Sequence, residues 1–444
     1  MNWERLLSTQ RFGEKKQALQ PGRSAFEQDY DRIIFSHPFR RLQDKTQVHP
    51  LPEDDFVHTR LTHSLEVSSV GRSLGKKVGQ VILERYPALA NYYTTHDFGA
   101  IVAAASLAHD IGNPPFGHSG ESAISEFFTA GKGQPYHQCV DELQWADLTH
   151  FEGNAQGFRI LNKEQYQGLR LTYATLAAFS KYPRQSLIRK KDPARRSQKK
   201  YGFFQSERET FRGIADEIGL MEHEEFSWCR HPLTFLVEAA DDICYHLIDL
   251  EDGCRMGLVS YEDAVSLYAG ILGNKFRPDK LERIHSVNER ISTLRAIAIG
   301  ELVEQCTSLF LDEEKSLLNG TFDTALTDTI PSSDVLGDVI DLSVKRIYQS
   351  RQVVEIEIAG FEVLPGLLET FVTAVVENKV NEKKSKRNQA ALRLLSEEIL
   401  YDINNQKTDV YSVLMCCVDF VSGLTDRHAI SLYRKIKGIS LPNS

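Results

Sequence analysis

Long apolar runs are missing from this chain. No stretch approaches the ~18 apolar residues of a membrane-spanning helix, and the opening MNWERLLSTQRFGEKK has no secretory apolar core. A membrane protein is therefore not expected, and with no targeting signal in view the cytoplasm is the expected compartment. Cysteine is sparse and scattered. Seven occur, at 139, 229, 244, 254, 306, 416 and 417, an odd number with no Cys-x-x-Cys pair. A disulfide framework or a thiolate zinc site is thereby disfavoured, and buried reduced thiols are expected. Positive charge is in deficit, with a formal net charge of −9, which argues against a protein that coats nucleic acid.

What is present describes a folded chain. Hydrophobic residues make up 41% and charged residues 25% of 444, which excludes disordered and collagen-like classes. At roughly 100–200 residues per domain, the length suits two to four domains or one large helical body with extensions. Helical periodicity dominates. Val67, Val70, Leu74, Val78 and Val81 give Arg60 to Tyr86 the i, i+3/i+4 rhythm of an amphipathic helix. A second helix is predicted over Asp97 to Ile111, stopped by Gly112-Asn113-Pro114-Pro115. A third opens at His231-Pro232, carries Leu236, Ala240, Ile243, Leu247 and Leu250 on one face, and ends near Gly253. Leu281–Leu317 and Ala390–Ile403 read as further helices. The best strand signal is the alternation of Val353 to Ile358 before Ala359-Gly360, expected to form one arm of a short hairpin. The fold class is mainly α.

One segment departs from the acidic average. Residues 181–200 hold nine Lys and Arg against one Asp, a local charge of +8 that leaves −17 on the remainder. Such a run is either a solvated mobile loop or a contact for a polyanion, triphosphate or single-stranded nucleic acid.

Three patterns carry chemistry. His63, in Arg60-Leu-Thr-His63, is in phase with Val67, Val70, Leu74 and Val78, so its ring points inward, as a core histidine or a ligand. His109 shares the phase of Ile101 and Ala105 and is followed by Asp110. An adjacent His-Asp pair at the end of a buried helix is costly unless neutralised, and a divalent cation does this. Imidazole with carboxylate suits Mn, Mg, Fe, Co or Ni. The turn Gly-Asn-Pro-Pro-Phe-Gly then brings back His118 and Glu121, three apart and able to pair if a helix begins there. On the third helix a polar stripe of Glu238, Asp241, Tyr245 and Asp249 runs beside the apolar one, and Asp241 or Asp242 would complete a His, His-Asp, Asp set.

These motifs resemble those of the HD phosphohydrolase superfamily and, within it, the deoxyguanosine triphosphate triphosphohydrolases. The likeness rests on RRLQDKTQV (40–48), TRLTHSLEV (59–67), HDIGNPPFGHSGE (109–121), HFEGNAQG (150–157) and EAADDICYHLIDLEDG (238–253), in order over about residues 23–260. Beyond that it thins to fragments such as GLLETF (366–371) and SGLTD (422–426).

The resemblance implies an HD helical core over 1–260, with a basic loop at 181–200. A C-terminal helical region over 261–444 would carry the hairpin. It implies metal ligands at His63, His109, Asp110 and Asp241, the last chosen because the family spaces its ligand four residues before an aromatic, here Tyr245. His118 and Glu121 match the catalytic pair. Gln47, Val48, Tyr245 and Asp249 match groups around the deoxyribose, with Tyr245 excluding a 2′-hydroxyl. Arg60, Lys181, Tyr182 and Lys200 match groups that hold phosphates, and Asn154 matches a wall residue or a helix cap.

The implied reaction is hydrolysis of dGTP or other dNTPs to deoxynucleoside and inorganic triphosphate with one divalent ion, Mn²⁺ or Mg²⁺ first. The implied assembly is a homo-oligomer, up to a hexamer. Alternatives are another HD nucleotidase or phosphodiesterase, and an HD protein that binds single-stranded DNA.

Overall fold

The helical rhythm of the sequence produces helices that pack by close backbone approach. In the computed structural model, which describes residues 1–12, 22–48, 58–163, 168–380, 385–405 and 409–440, the helix α1 spans Arg60–Arg85 and α2 spans Thr95–Ala108. A capping box between Thr59 and Thr62 starts α1. Its buried face includes Gly71, Gly75 and Gly79 at four-residue spacing. A Cβ at Gly75 would stand 2.7 Å from the Phe98 carbonyl oxygen, and one at Gly79 would stand 2.7 Å from the Phe98 ring. Absent side chains here let α2, buried around nearly its whole circumference, lie directly on α1.

Further along the chain, α3 spans Gly117–Thr129, α4 Gly153–Asn162, α5 Thr234–Arg255 and α6 Val287–Asp312. Then follow α7 over Arg351–Val380, α8 over Val410–Ser422 and α9 over Asp426–Ile436. Helix α5 packs on α1, α2 and α6, and these four enclose one apolar cluster that runs from Trp3 to Ile347. A second cluster forms where α7 lies on α3, α8 and α9, with Leu364, Leu367, Leu368 and Phe371 at its centre.

Several boundaries differ from the periodicity. Pro232 lies in a turn over 231–233, and the α5 spiral starts at Thr234. Leu281–Leu317 is broken after Glu282, and Ala390–Ile403 divides between Lys386–Leu392 and Glu397–Asn405. The hairpin expected at Val353–Ile358 is wrong: those residues are the first turns of α7. The 3–4 spacing of Leu364, Leu367, Leu368 and Phe371 extends backward through them, and among the described residues no neighbouring strand pairs with them. The one sheet among the described residues pairs β1, Glu222–Glu224, with β2, Ser227–Trp228. By length and composition Arg351–Asn378 could cross a membrane, which the sequence reading did not foresee, but 56% of its most apolar window is buried against the rest of the chain. Its second half, from Val363 to Val375, is packed as a core helix.

Candidate active site

The site lies where the two clusters meet. Helices α1, α2 and α5 of the first bring in His63, His109-Asp110 and Asp241, while α3 of the second brings in His118 and Glu121. His63 sits in the first turn of α1 and is 2% exposed. His109 caps α2, and its Nδ1 lies 2.6 Å from the carbonyl oxygen of Ser106. A carbonyl can only accept, so Nδ1 carries a proton and Nε2 is the nitrogen that faces the cluster. His63, His109 and Asp110 each put a ligand atom within 4.8 Å of the others. Asp241 Oδ1 joins them, 3.2 Å from His63 Nε2 and 3.4 Å from His109 Nε2.

This donor set fits a divalent cation. Two imidazole nitrogens and two carboxylates converge, and the His109 ring is oriented by a backbone carbonyl, as metal-bound imidazoles commonly are. Burial disfavours charge on His109, yet Asp110 and Asp241 raise it to about 9. Burial likewise acts against the charge on Asp110, but Arg60, His109 and His63 bring it down to about 2. The cluster thus carries negative charge that a proton or a cation must offset. Arg60 Nη1 donates to Asp110 Oδ2 at 2.7 Å, and Asn113 donates its amide to the other oxygen. Asp242 faces elsewhere: its Oδ2 accepts from the Thr327 hydroxyl at 2.6 Å.

A second group surrounds Glu121. His118 Nδ1–H donates to Glu121 Oε2 at 2.7 Å, while the His118 side chain stays 83% exposed. Glu121 Oε1 accepts the Gly153 amide at 2.7 Å, at the start of α4. Burial opposes the Glu121 charge, but His118 and Lys200 together hold its carboxyl below the usual range. Lys200 Nζ is 3.7 Å from Glu121 and 3.1 Å from Glu152, whose Oε1 also accepts the Asn154 side-chain amide at 2.7 Å. Asn154 therefore neighbours this cluster through Glu152, while the N-cap position is held by Glu152.

The third group lies one and two turns along α5 from Asp241. The Tyr245 ring stacks on Tyr348 with centroids 5.6 Å apart, and the Tyr348 hydroxyl donates to Asp249 Oδ2 at 2.8 Å. Burial pushes the Asp249 carboxyl up to about 8. Thr46 bridges to Thr59 at the head of α1, which brings Gln47 and Val48 alongside. Gln47 Oε1 is buried with no hydrogen-bond partner among the described residues, and Val48 packs on the larger cluster.

The basic run is not a free loop. Lys181 Nζ lies 3.4 Å from Glu238 and 3.9 Å from Asp241. Arg196 Nε donates to Glu238 at 2.8 Å and Nη1 to Asp328 at 2.7 Å. Arg195 meets Asp323, and Arg184 is buried among backbone carbonyls. Tyr182 is buried as well. The exposed cations of the run are Arg189, Lys190, Lys191 and Lys199. Sequence reasoning missed Glu152 and Glu238 as partners of these cations, although both stand inside the quoted motifs. It also missed Tyr348, 99 positions from Asp249, for which no local signal exists.

Residues 60–150 match the HD domain family. The whole chain is similar to a Synechocystis deoxyguanosinetriphosphate triphosphohydrolase-like protein, 43% identical over 99% of this chain and 100% of that one. A Pseudomonas aeruginosa protein of the same description is 38% identical over the full length of both. A Yersinia pestis deoxyguanosinetriphosphate triphosphohydrolase is 32% identical over 93% of each chain. The chain belongs to the deoxyguanosinetriphosphate triphosphohydrolase family. It is an HD-domain hydrolase, and the family-wide likeness extends through α7, α8 and α9, where the sequence motifs alone had thinned to fragments.

Proposed function

We propose that this enzyme hydrolyses dGTP, with other dNTPs as further substrates, to deoxynucleoside and inorganic triphosphate. The observation that carries the reading is the convergence of His63, His109, Asp110 and Asp241 beside the His118–Glu121 pair. A divalent ion, Mn²⁺ or Mg²⁺, would be held by those four residues and would supply charge neutralisation at the phosphate and a more acidic water. The chain's own groups do the rest. Glu121 holds the Nδ1–H of His118, and when the ring is doubly protonated its Nε2 proton, on the open side, passes to the departing 5′-oxygen and leaves a neutral imidazole. Arg60, Lys181 and Lys200 each already sit against a carboxylate, so they are positioned before phosphate arrives and exchange one anionic partner for another. Tyr182 walls the same side. Tyr245, backed by Tyr348, closes the 2′ face of the sugar, with Gln47, Val48 and Asp249 around it and Asn154 at the margin.

An assay of the four dNTPs and GTP with Mn²⁺ or Mg²⁺, resolving triphosphate from pyrophosphate and phosphate, tests this. Triphosphate plus deoxynucleoside is expected, and pyrophosphate or orthophosphate as first product overturns it in favour of another HD nucleotidase or phosphodiesterase. His63→Ala, Asp110→Ala and Asp241→Ala should each lose bound metal by elemental analysis as well as turnover.

The same reading includes a homo-oligomer, up to a hexamer, for which exposed Val354, Ile358 and Phe361 on α7 offer an apolar face. Light scattering measures it. Binding of single-stranded DNA rests on Arg189, Lys190 and Lys191, since much of the +8 is neutralised internally. Neutralising those three should abolish salt-sensitive DNA binding and leave dNTP turnover intact.

A further inference from the structure

Asp426, the first residue of α9, lies more than three hundred positions from the His118 turn, yet it is 1% exposed and hydrogen-bonded to that turn. Both of its oxygens are committed to backbone donors. Oδ1 accepts the Phe116 amide at 3.1 Å, and Oδ2 accepts the Thr46 amide at 2.9 Å. Those two amides belong to different halves of the site. Thr46 precedes Gln47 and Val48, and Phe116 precedes Gly117 and His118. The backbone at Phe116 and Gly117 is left-handed, with φ of 65° and 56°. For Phe116 that conformation is strained and persists only where its surroundings hold it. Lys45 adds a parallel tie: buried, it donates from Nζ to the Asn113 carbonyl and, at 3.0 Å, to the Ser422 carbonyl at the end of α8. Thus the SGLTD fragment, Ser422 to Asp426, reaches both the 113–117 turn and the 45–48 segment.

We infer that Asp426 is a positioning residue, through which the C-terminal helices hold the His118 turn and the Gln47 segment in one register. The inference rests on the proposed triphosphohydrolase reading for its kinetic consequences but not for its structural ones. A carboxylate suits the place because it can accept from two amides at once. An asparagine has one acceptor oxygen, so its NH₂ group would face one of the two N–H donors.

Asp426→Asn should fold and keep its metal while single-turnover hydrolysis of dGTP falls about 10- to 100-fold. In a His118→Ala background the same substitution should cost clearly less than it does alone, because the turn then positions no imidazole and only the displaced Gln47 segment still counts. Hydrogen exchange at the Phe116 and Thr46 amides should be slow in the parent and accelerate together in the variant. Full multiplicative loss in the double variant, or parental rates in the single one, overturns the inference. Should Asp426→Asn not fold, parental exchange decides it: fast exchange at either amide sinks the clamp. Exchange needs no substrate. A chain that hydrolyses no dNTP but shows both amides protected and then released by Asp426→Asn would therefore fail the functional reading while keeping this one.

Discussion

His118 stands at an exposed helix start with one nitrogen tied to a buried carboxylate, and that asymmetry governs what its replacement should do. General acid–base assistance is worth about 10²–10⁴-fold. His118→Ala should lose on that order in kcat while retaining metal, and Glu121→Gln should lose less because its amide can still orient the ring. A His118→Ala rate within a few-fold of the parent, measured in single turnover on metal-loaded protein, would remove the ring from the mechanism. Sugar choice is the second residue-scale question. Tyr245 is braced by Tyr348, which fixes the ring rather than leaving it to swing. Tyr245→Ala should narrow the dGTP-to-GTP preference in kcat/KM by roughly tenfold, since an apolar wall rejects an added hydroxyl by about 10²-fold. An unchanged ratio would assign the discrimination to another group.

Between elements, the decisive contact is the crossing of α1 and α2. Metal-ligand candidates sit on both, so their separation sets the spacing of His63 from His109, whose rings are 5.3 Å apart. The helices touch through Gly71, Gly75 and Gly79. Gly75→Val would drive its Cβ into the Phe98 carbonyl, a backbone atom that cannot rotate away. Overpacking of this kind typically costs about 1–3 kcal/mol, more than the few tenths gained in helix propensity. The expected result is a lower midpoint in denaturant and weaker metal retention together. Loss of stability with full metal affinity would mean that the ligands do not depend on this crossing.

At the scale of the whole molecule, the C-terminal helices are coupled to the rest through buried polar ties. Asp147 is one of them. Its Oδ2 accepts from the Tyr411 hydroxyl at 2.6 Å, on α8, and from the Gln205 amide at 2.7 Å, while its Oδ1 is buried with no partner among the described residues. Burial raises this carboxyl to about 7 from an ordinary 3.8, against the pull of those hydrogen bonds. A raised folded-state value means the native chain binds the proton more tightly than the unfolded one. Its contribution is therefore fully present below about pH 4 and is lost as pH climbs toward 7, on the order of 2–4 kcal/mol. Asp147→Asn has no such titration, so its stability relative to the parent should improve between pH 4 and 8. Parallel denaturant titrations across that range measure this, and a difference independent of pH would show that Asp147 stays ionised.

The sequence by itself determined the helical class, the inward phase of His63 and His109, and the three-residue reach from His118 to Glu121, because each is encoded within one or two turns of a single helix. Five motifs in order also made the HD family legible before any coordinate. Other features were decided only in three dimensions. Val353 to Ile358 alternate like a strand, yet the 3–4 apolar spacing that follows them made them the first turns of a helix. The +8 run looked like a free polycation, but Glu238, Asp323 and Asp328 neutralise much of it from elsewhere in the chain. Tyr348 and Asp426 enter the site from 99 and more than three hundred residues away. Periodicity is a local property of the backbone, whereas the partner of a buried charge or a strained amide is chosen by packing, which joins segments that no local pattern connects.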